Sequence, residues 1–194
     1  MPAKKKQKVT VSLSHDEILN DYRIACESRQ ASLLGRREVL TGKAKFGIFG
    51  DGKEVPQLAM ARAFRQGDWR SGYYRDQTFM LASGMMRLEE FFSQLYGDTD
   101  LKANPANGGR MMNNHFGTRS LDEKGHWKDL TKQKNSSPDI SPTAGQMPRA
   151  LGLALASKMY RHLDKLDHLS HLSQKGNEVC FVTIGDASTS EGHF

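Results

Sequence analysis

The feature that most constrains the fold is an apolar run near the end of the chain. Residues 178–184 read EVCFVTI and lead directly into Gly185 and Asp186. A short run of β-branched and aromatic residues predicts a strand that is buried on both faces, as is typical of a parallel sheet. Because helical patterns precede this strand, we expect an α/β fold, in which a parallel sheet is flanked by helices.

The first helical pattern begins with a capping box. Ser14 is a good N-cap and Glu17 follows three residues later, so the sequence predicts a helix that starts at Ser14. Gly35 is a candidate for its end. Apolar residues at helical spacing give this helix a candidate packing face: Ile18, Leu19, Tyr22, Ala25 and Cys26.

Further helices are predicted along the chain. Pro56 at a first-turn position starts one that Gly67 closes, and residues 87–96 form another. A helix rich in small residues follows Pro148, and we expect it to be buried or at an interface because small residues let backbones approach closely. Residues 98–148 show almost no periodicity, and a loop of this length usually has an active-site or binding role.

The net charge of +6 suggests a nucleic-acid partner, but its distribution argues against one. Much of the excess lies in Lys4, Lys5, Lys6 and Lys8, and residues 1–13 are interpreted as a disordered, solvated tail rather than as a binding arm. Elsewhere basic and acidic residues alternate, without the interleaved aromatics that would stack on bases. We therefore expect no nucleic-acid partner, and one domain over residues 14–194.

The remaining composition is that of a cytoplasmic protein. No apolar run is long enough to span a membrane, and no secretory signal is evident, so we expect no membrane association. The two cysteines, Cys26 and Cys180, lie in apolar contexts and are interpreted as reduced core residues.

A phosphate-loop pattern occurs in residues 47–53 (GIFGDGK). Glu54 stands where such a loop needs a Ser or Thr hydroxyl to bind magnesium. The residues before it are also too polar for the buried strand that should precede the loop. These departures favour a flexible loop over a nucleotide site.

The strand end at Asp186 is the strongest candidate for chemistry. Ligands of α/β sheets bind at the carboxyl ends of strands, and a carboxylate there can hold a hard divalent cation against phosphates. The backbone N–H groups of a helix that starts here would favour those phosphates. The plain alternative is a strand-to-helix turn in which Asp186 is the N-cap.

Residues 179–194 resemble the thiamine diphosphate motif that opens with Gly-Asp-Gly. From Glu27 to Phe194 the chain is similar to the α-type half of 2-oxo acid dehydrogenase decarboxylating (E1-type) components, branched-chain-like and N-terminal in extent. The resemblance implies a thiamine diphosphate-binding fold, incomplete at its C-terminus. It also implies Mg²⁺ bound by Asp186, with Gly185, Ala187 and Ser188 beside the cofactor. Ala187 replaces the usual second glycine, which would matter if that backbone needed a positive φ.

Three further motifs carry the resemblance. Tyr74 and Arg75 would contact the diphosphate, although a surface turn with a stacked Tyr–Arg pair is an equal alternative. His115, in the segment 108–117, would orient the 2-oxo acid or transfer a proton, although a lone loop histidine is often unremarkable. Ser141 would bind the cofactor and Thr143 would face it.

The last of these motifs also has a plain alternative. The Ser-Pro segment could simply be a proline-punctuated entry to the following helix. Gly145 stands where some relatives bind potassium through a hydroxyl, which puts a potassium site in doubt.

The resemblance implies oxidative decarboxylation of a branched-chain 2-oxo acid such as 3-methyl-2-oxobutanoate, with acyl transfer to a lipoyl-bearing acyltransferase. Pyruvate or acetoin is the alternative substrate. The implied partner is a β-type half, fused or separate, in a dimer or heterotetramer. It would supply a glutamate, while an asparagine beyond Phe194 would be the second magnesium ligand, so we expect the 194 residues alone to be inactive. A basic RNA- or partner-binding module is the non-enzyme alternative.

Overall fold

The computed structural model describes residues 12–194. The run from Lys4 to Lys8 lies outside the described residues, so the expected tail stays a prediction. Within 12–194, no helix has the combination of length and apolar character needed to cross a membrane.

The described residues form five α-helices and three short strands. The helices are α1 (His15–Leu40), α2 (Glu54–Ala63), α3 (Gln77–Ala82), α4 (Leu88–Leu95) and α5 (Gln146–His162). The strands are β1 (Trp69–Ser71), β2 (Asn135–Ser136) and β3 (Cys180–Val182). Three 3-10 segments in the described residues span Leu130–Lys132, Asp164–Leu169 and Asp186–Ser190.

The three strands form one parallel sheet in the order β2-β1-β3, with Arg70 of β1 opposite Ser136 and Phe181. Phe181 packs edge-on against Phe64 at 5.1 Å between ring centroids and joins the apolar core. Neighbouring strand residues point to opposite faces, and the other face of β1 and β3 packs against α5. The expected α/β arrangement, a parallel sheet flanked by helices, is confirmed.

The apolar core lies on the Phe181 side of the sheet and is built from the helices α1 to α4 and the loops near them. Its buried members are Ala31, Ala61, Phe64, Phe79, Met80, Met86, Phe91 and Phe116. The core therefore packs against one face of the sheet.

Helix α1 begins as predicted and ends later than predicted. The Ser14 hydroxyl accepts from the Glu17 N–H and the Glu17 carboxylate accepts from the Ser14 N–H, which completes the capping box. The helix then continues past Gly35 to Leu40. Gly35 is buried, and a Cβ atom there would overlap the Phe49 ring. This glycine permits close packing and does not stop the helix.

The predicted packing face of α1 was wrong. Ile18, Leu19 and Tyr22 are exposed. The helix instead buries a face of mostly small or polar residues: Ile24, Ser28, Ala31, Ser32, Gly35 and Glu38. Its contact with α3 includes a 2.6 Å hydrogen bond between the hydroxyls of Ser28 and Thr78. Small side chains let the two helices approach closely. A search for large apolar residues at helical spacing does not find such a face.

The expectation that both cysteines lie in the core was wrong for Cys26. That residue is exposed, while Cys180 is half-buried, and neither forms a disulfide. Burial raises the pKa of the Cys180 thiol to about 11, so this cysteine is a protonated thiol at neutral pH.

Other boundaries shift by a few residues. Helix α2 starts two residues before Pro56 and ends at Ala63, before Gly67. Helix α4 matches the prediction for residues 87–96 closely, with Gly97 at a φ of 68° behind it. The strands β1 and β2 and the helix α3 were not predicted, because elements of two to six residues are too short to show a period.

Two burial predictions were wrong in the described residues. In α5 only Gln146 and Ala150 are buried, while Leu151 and Leu155 are 72% and 56% exposed. Strand β3 is an edge strand, and Val182 is exposed. The alternative that α5 lies at an interface stays a prediction.

Two glycine substitutions test the packing of α1. We expect Gly35→Ala to destabilise the fold, because overlap with Phe49 costs about 1–3 kcal/mol and exceeds the gain in helix propensity. Gly152→Ala in α5 is the control, since a Cβ there meets nothing within 4 Å, and we expect it to stabilise by about 1 kcal/mol. Urea unfolding measures both changes. An equal stabilisation by the two variants would contradict the packing role of Gly35.

Candidate active site

Three of the predicted motifs follow a parallel strand within a few residues. The motif 72–76 starts directly after β1, the motif that starts at Ser141 lies on the segment that follows β2, and the motif that starts at Gly185 lies on the segment that follows β3. The strands are neighbours in one sheet, with β1 in the middle. Because their carboxyl ends meet at one edge, the edge where α/β sheets bind ligands, the fold brings the three segments together.

Side chains from three of the motifs are in contact at this edge. The rings of Tyr74 and His115 stack at 6.1 Å between centroids with 27° between their planes. The Nε2 atom of His115 lies 3.1 Å from the Oγ atom of Ser141. His115 is buried, whereas Ser141 is exposed. The structure thus joins Tyr74, His115 and Ser141 into one group.

The surroundings of His115 fix its tautomer. Its Nδ1 atom lies 3.2 Å from the carbonyl oxygen of Asn113. A carbonyl oxygen can only accept, so Nδ1 must carry the hydrogen, and the neutral ring has its lone pair on Nε2. That lone pair accepts from the Ser141 hydroxyl. A neutral Nε2 that faces an exposed hydroxyl can accept a proton there.

Arg75 provides positive charge beside this group. Its guanidinium lies over the Tyr74 ring at 5.4 Å from the centroid, so the stacked Tyr–Arg pair expected as an alternative is present. Arg75 is half-buried and forms no salt bridge with a carboxylate in the part of the chain that the structure describes. Because the N–H groups of the guanidinium lie in its plane, they can still donate to an anion.

The segment after β3 reaches the group through Tyr73. The Tyr73 hydroxyl would lie 3.8 Å from a Cβ atom at Gly185, and the Tyr73 ring packs edge-on against Tyr74 at 5.1 Å. Burial and the nearby Asp76 carboxylate raise the pKa of the Tyr73 phenol, so it is a neutral hydroxyl. The group formed by Tyr74, His115 and Ser141 therefore extends towards Gly185.

The residues that follow Gly185 form a 3-10 turn from Asp186 to Ser190. Asp186 and Ala187 are exposed, whereas Ser188 is buried and its N–H donates to the Gly185 carbonyl. Ala187 does not adopt a positive φ. Replacement of the family's second glycine by alanine therefore causes no backbone strain at this position.

The other motif residues have simpler placements. Thr143 is exposed on the loop of Ser141. A Cβ atom at Gly145 would lie 2.6 Å from Cδ1 of Ile140, so a residue with a hydroxyl would require Ile140 to move. Gly109 has a φ of 76°, and a Cβ there would lie 2.8 Å from the Gly97 carbonyl oxygen. Glycine at 109 is thus required by the backbone.

The residues of the phosphate-loop pattern, 47–53, pack beside the same edge of the sheet. Glu54, where a hydroxyl would be needed, pairs with Arg29 at 2.7 Å, and this ion pair lowers the pKa of Glu54 to about 2. A Cβ atom at Gly50 would overlap the Arg75 carbonyl. The loop is therefore packed against the Arg75 backbone.

Sequence reasoning missed the ion network beneath the site. Arg70, in the central strand, is fully buried. Its guanidinium donates to Asp76 Oδ2 at 2.9 Å and to both carboxylate oxygens of Asp139 at 3.0 Å. Burial opposes its charge, but Asp139 and Asp76 outweigh it and raise the pKa of Arg70. A lone arginine in a three-residue strand gives no sequence signal.

This network reaches every segment of the site. Asp76 Oδ2 accepts from the Thr183 hydroxyl at 2.6 Å, which ties the segment after β3 to the segment after β1. Asp139 Oδ2 accepts from the Phe116 N–H at 3.1 Å, next to His115. The ion network therefore connects the loops that carry Tyr74, His115, Ser141 and Asp186.

Buried glutamines hold the same segments, and sequence reasoning missed these as well. The side-chain amide of Gln57 donates to the Arg75 carbonyl at 2.8 Å, and that of Gln146 donates to the Thr183 carbonyl at 2.8 Å. The amide of Gln94 donates to the His115 carbonyl at 2.6 Å. The available signal was a glutamine on the buried side of a predicted helix, such as Gln94 beside Phe91 and Leu95.

The family model and the curated relatives that match this chain describe the same kind of protein. The family model described as dehydrogenase E1 component matches residues 29–194. The chain is 30% identical over 189 residues to the 2-oxoisovalerate dehydrogenase subunit alpha of Bacillus subtilis (strain 168), covering 95% of this chain and 47% of that protein. It is 28% identical to the mitochondrial 2-oxoisovalerate dehydrogenase subunit alpha of Caenorhabditis elegans over 151 residues, 78% of this chain and 28% of that protein.

A pyruvate dehydrogenase relative is similar too. The chain is 27% identical over 192 residues to the pyruvate dehydrogenase E1 component subunit alpha of Acholeplasma laidlawii, covering 97% of this chain and 43% of that protein. The chain thus spans less than half the length of these curated relatives.

Substitution of Arg70 tests the ion network. We expect Arg70→Met to destabilise the fold by about 3–5 kcal/mol at neutral pH, because two buried carboxylates lose their cation. This loss in the free energy of unfolding should become smaller as the pH falls, since protonation neutralises the two carboxylates. Urea unfolding at several pH values measures this, with exposed Arg37→Met as the control that stays within about 0.5 kcal/mol. A deficit that does not change with pH would argue against unpaired carboxylates as its cause.

Proposed function

The chain belongs to the dehydrogenase E1 component family, and on that premise we propose that it forms one half of a thiamine diphosphate site in a 2-oxo acid dehydrogenase. The observation that carries the proposal is the convergence of Tyr74, His115 and Ser141 at the sheet edge that Asp186 also borders. The matched relatives are more than twice as long as this chain, so the activity is proposed for the assembled protein.

The residues at this edge fit the cofactor by their chemistry. Arg75 is a guanidinium without a carboxylate partner in residues 12–194, and such a group suits phosphate oxygens. Asp186 is an exposed carboxylate in the turn that follows Gly185, and carboxylate oxygens are ligands for Mg²⁺. The stacked rings of Tyr74 and His115 offer an apolar wall. These residue types would suit a diphosphate, its metal ion and an organic ring.

Each residue has a proposed task. Tyr74 and Arg75 bind the diphosphate, Asp186 binds Mg²⁺, and Gly185, Ala187 and Ser188 line the metal side. Ser141 and Thr143 shape the cofactor's conformation. When bound, thiamine diphosphate supplies the carbanion stabilisation that decarboxylation of a 2-oxo acid requires.

His115 is the proposed catalytic residue. Its Nε2 lone pair faces the exposed Ser141 hydroxyl, so it can accept a proton at that point, and the N–H formed in this way can donate to the 2-oxo acid. The burial of the ring and its stacking on Tyr74 keep it in one orientation.

The proposed substrate is a branched-chain 2-oxo acid of the 3-methyl-2-oxobutanoate type. The B. subtilis and C. elegans relatives named 2-oxoisovalerate dehydrogenase subunit alpha support this choice. The pyruvate dehydrogenase relative keeps pyruvate, with acetoin, as the alternative. The acyl product would pass to a lipoyl group on an acyltransferase.

The proposed assembly contains a β-type half, fused or separate, in a dimer or heterotetramer located in the cytoplasm. Residues 14–194 would then be part of a thiamine diphosphate-binding domain. An asparagine would be the second magnesium ligand and a glutamate of the β-type half would activate the cofactor. Among residues 12–194, no three His, Cys, Asp or Glu side chains group as a metal site.

Reconstitution tests the proposed activity. We expect the 194 residues alone to show no micromolar, Mg²⁺-dependent binding of thiamine diphosphate in calorimetry. The assembly with its β-type half should bind it and release carbon dioxide, faster from 3-methyl-2-oxobutanoate than from pyruvate. Tight binding by the chain alone would refute a shared site. Salt-sensitive RNA binding by an assembly that ignores thiamine diphosphate would favour a basic binding module instead.

Substitution of Asp186 tests the metal assignment. In the assembly, Asp186→Asn should weaken Mg²⁺-dependent cofactor binding by about 10-fold or more, because a charged oxygen ligand is lost. Asp164→Asn is the control, since Asp164 is an exposed carboxylate in the 3-10 segment Asp164–Leu169, outside the segments that follow the strands. Normal cofactor affinity in Asp186→Asn would remove Asp186 from the magnesium site.

A further inference from the structure

The backbone just before His115 has a conformation that needs support from outside. Asn114 adopts a φ of 59° and is completely buried. Positive φ is uncommon for residues other than glycine, although asparagine tolerates it better than most. The adjacent residues depend on this turn, because Asn113 supplies the carbonyl that His115 Nδ1 contacts.

One side chain clamps this turn from α4. The Oε1 atom of Gln94 accepts from the Asn114 N–H at 2.6 Å, and its Nε2 atom donates to the His115 carbonyl at 2.6 Å. Gln94 is buried. A single amide group thus satisfies a donor and an acceptor on consecutive residues, and a residue that lacks either function would leave a buried backbone group unpaired.

Other contacts hold the turn from the opposite side but do not bind the His115 backbone. The amide of Asn114 donates to the Ile48 carbonyl and to Gln77 Oε1. The Asn113 amide exchanges two hydrogen bonds with the backbone of Ile48. In the described residues, Gln94 is the side chain that bonds to the carbonyl of His115 itself.

We infer that Gln94 is a positioning residue for His115: its amide holds the Asn114–His115 backbone, so that the ring keeps Nδ1 towards Asn113 and presents the Nε2 lone pair to Ser141. The geometric part of this inference stands on the contacts above. Its consequence for turnover rests on the proposed function. The hydrogen bonds of Gln94 do not depend on pH, because an amide carries no charge, and the tautomer of His115 is compared at a pH at which the ring is neutral.

Histidine ring nitrogens report the geometric part directly. NMR of the full chain with ¹⁵N-labelled histidine distinguishes protonated from unprotonated ring nitrogens, and His115→Gln identifies the signals of His115. We expect the unsubstituted chain to show one tautomer, with hydrogen on Nδ1. Gln94→Met, which removes donor and acceptor, should give a mixture of tautomers. Gln94→Glu keeps an acceptor and the side-chain shape but loses the donor, and should give a smaller change.

Ser83→Ala is the matched control. It removes one buried hydrogen bond, from the Ser83 hydroxyl to the Met80 carbonyl, and the Ser83 side chain bonds neither to Gln94 nor to the turn, so the substitution should leave the His115 signals unchanged. Hydrogen on Nε2 in the unsubstituted chain would overturn the inference, and so would an unaltered tautomer in a folded Gln94→Met. If Gln94→Met does not fold, the nearly isosteric Gln94→Glu decides, and unchanged His115 signals there would overturn the inference.

Kinetics of the assembly separate this inference from the proposed function. Gln94→Met should lower kcat by up to about 100-fold, as expected for a misplaced catalytic group, with a smaller change in KM for the 2-oxo acid. An altered tautomer with an unchanged kcat would contradict the catalytic task of His115 while leaving the positioning by Gln94 intact. An assembly without any 2-oxo acid activity would contradict the proposed function, and the NMR result would still stand.

Discussion

The buried cation of Arg70 is the constraint on which the site depends. A guanidinium without exposure to water must have its charge balanced and its N–H groups bonded. Asp76 and Asp139 balance the charge, and together with the Ser136 hydroxyl and the Tyr73 carbonyl they accept from the N–H groups. These two carboxylates belong to the segments that follow β1 and β2. The ion network therefore leaves those segments little freedom to be elsewhere. Through Thr183 and Phe116 the same carboxylates hold the two remaining segments.

Such a network is a poor source of stability, since a buried ion pair often contributes no more than apolar residues of equal volume. Its value here is positional. The strands are only two or three residues long, so the sheet alone fixes a small part of each loop, and directional bonds must do the rest. The buried glutamines extend the same principle, because Gln57, Gln94 and Gln146 each bond a backbone carbonyl of a site segment. Arg70 thus holds the loops through its ion pairs, and the glutamines hold the backbone of the same loops through hydrogen bonds.

Features that depend on a few neighbouring residues could be predicted from the sequence, whereas contacts between distant residues could not. The Ser14 capping box, α4 and the strand before Gly185 each leave a pattern within a few residues, and each was found. The packing face of α1 was wrong because Ser28, Ala31 and Gly35 pack by being small, which a search for large apolar residues overlooks. The motifs indicated Tyr74, His115 and Ser141, whose contact the structure shows. The roles of these three residues, like those of Arg75, Thr143 and Asp186, stay predictions. Arg70 acts across the chain and no spacing predicts it. The position of Gln94 on the buried side of a predicted helix was an available signal, but its backbone partners lie on another segment and could not be predicted from that position.

The exposure of Ser141 and Asp186 has a physical meaning under the proposed function. In water the attraction between Asp186 and a divalent cation is strongly screened, and the same charges attract far more strongly once a partner surface excludes solvent. A half-site would therefore have its anchoring residues buried and its ligand-binding atoms exposed. Arg70, Gln94 and His115 are buried, while Asp186 and Ser141 are open to solvent. Binding of the β-type half would then complete the ligand set and lower the local dielectric in one step, which couples cofactor affinity to assembly.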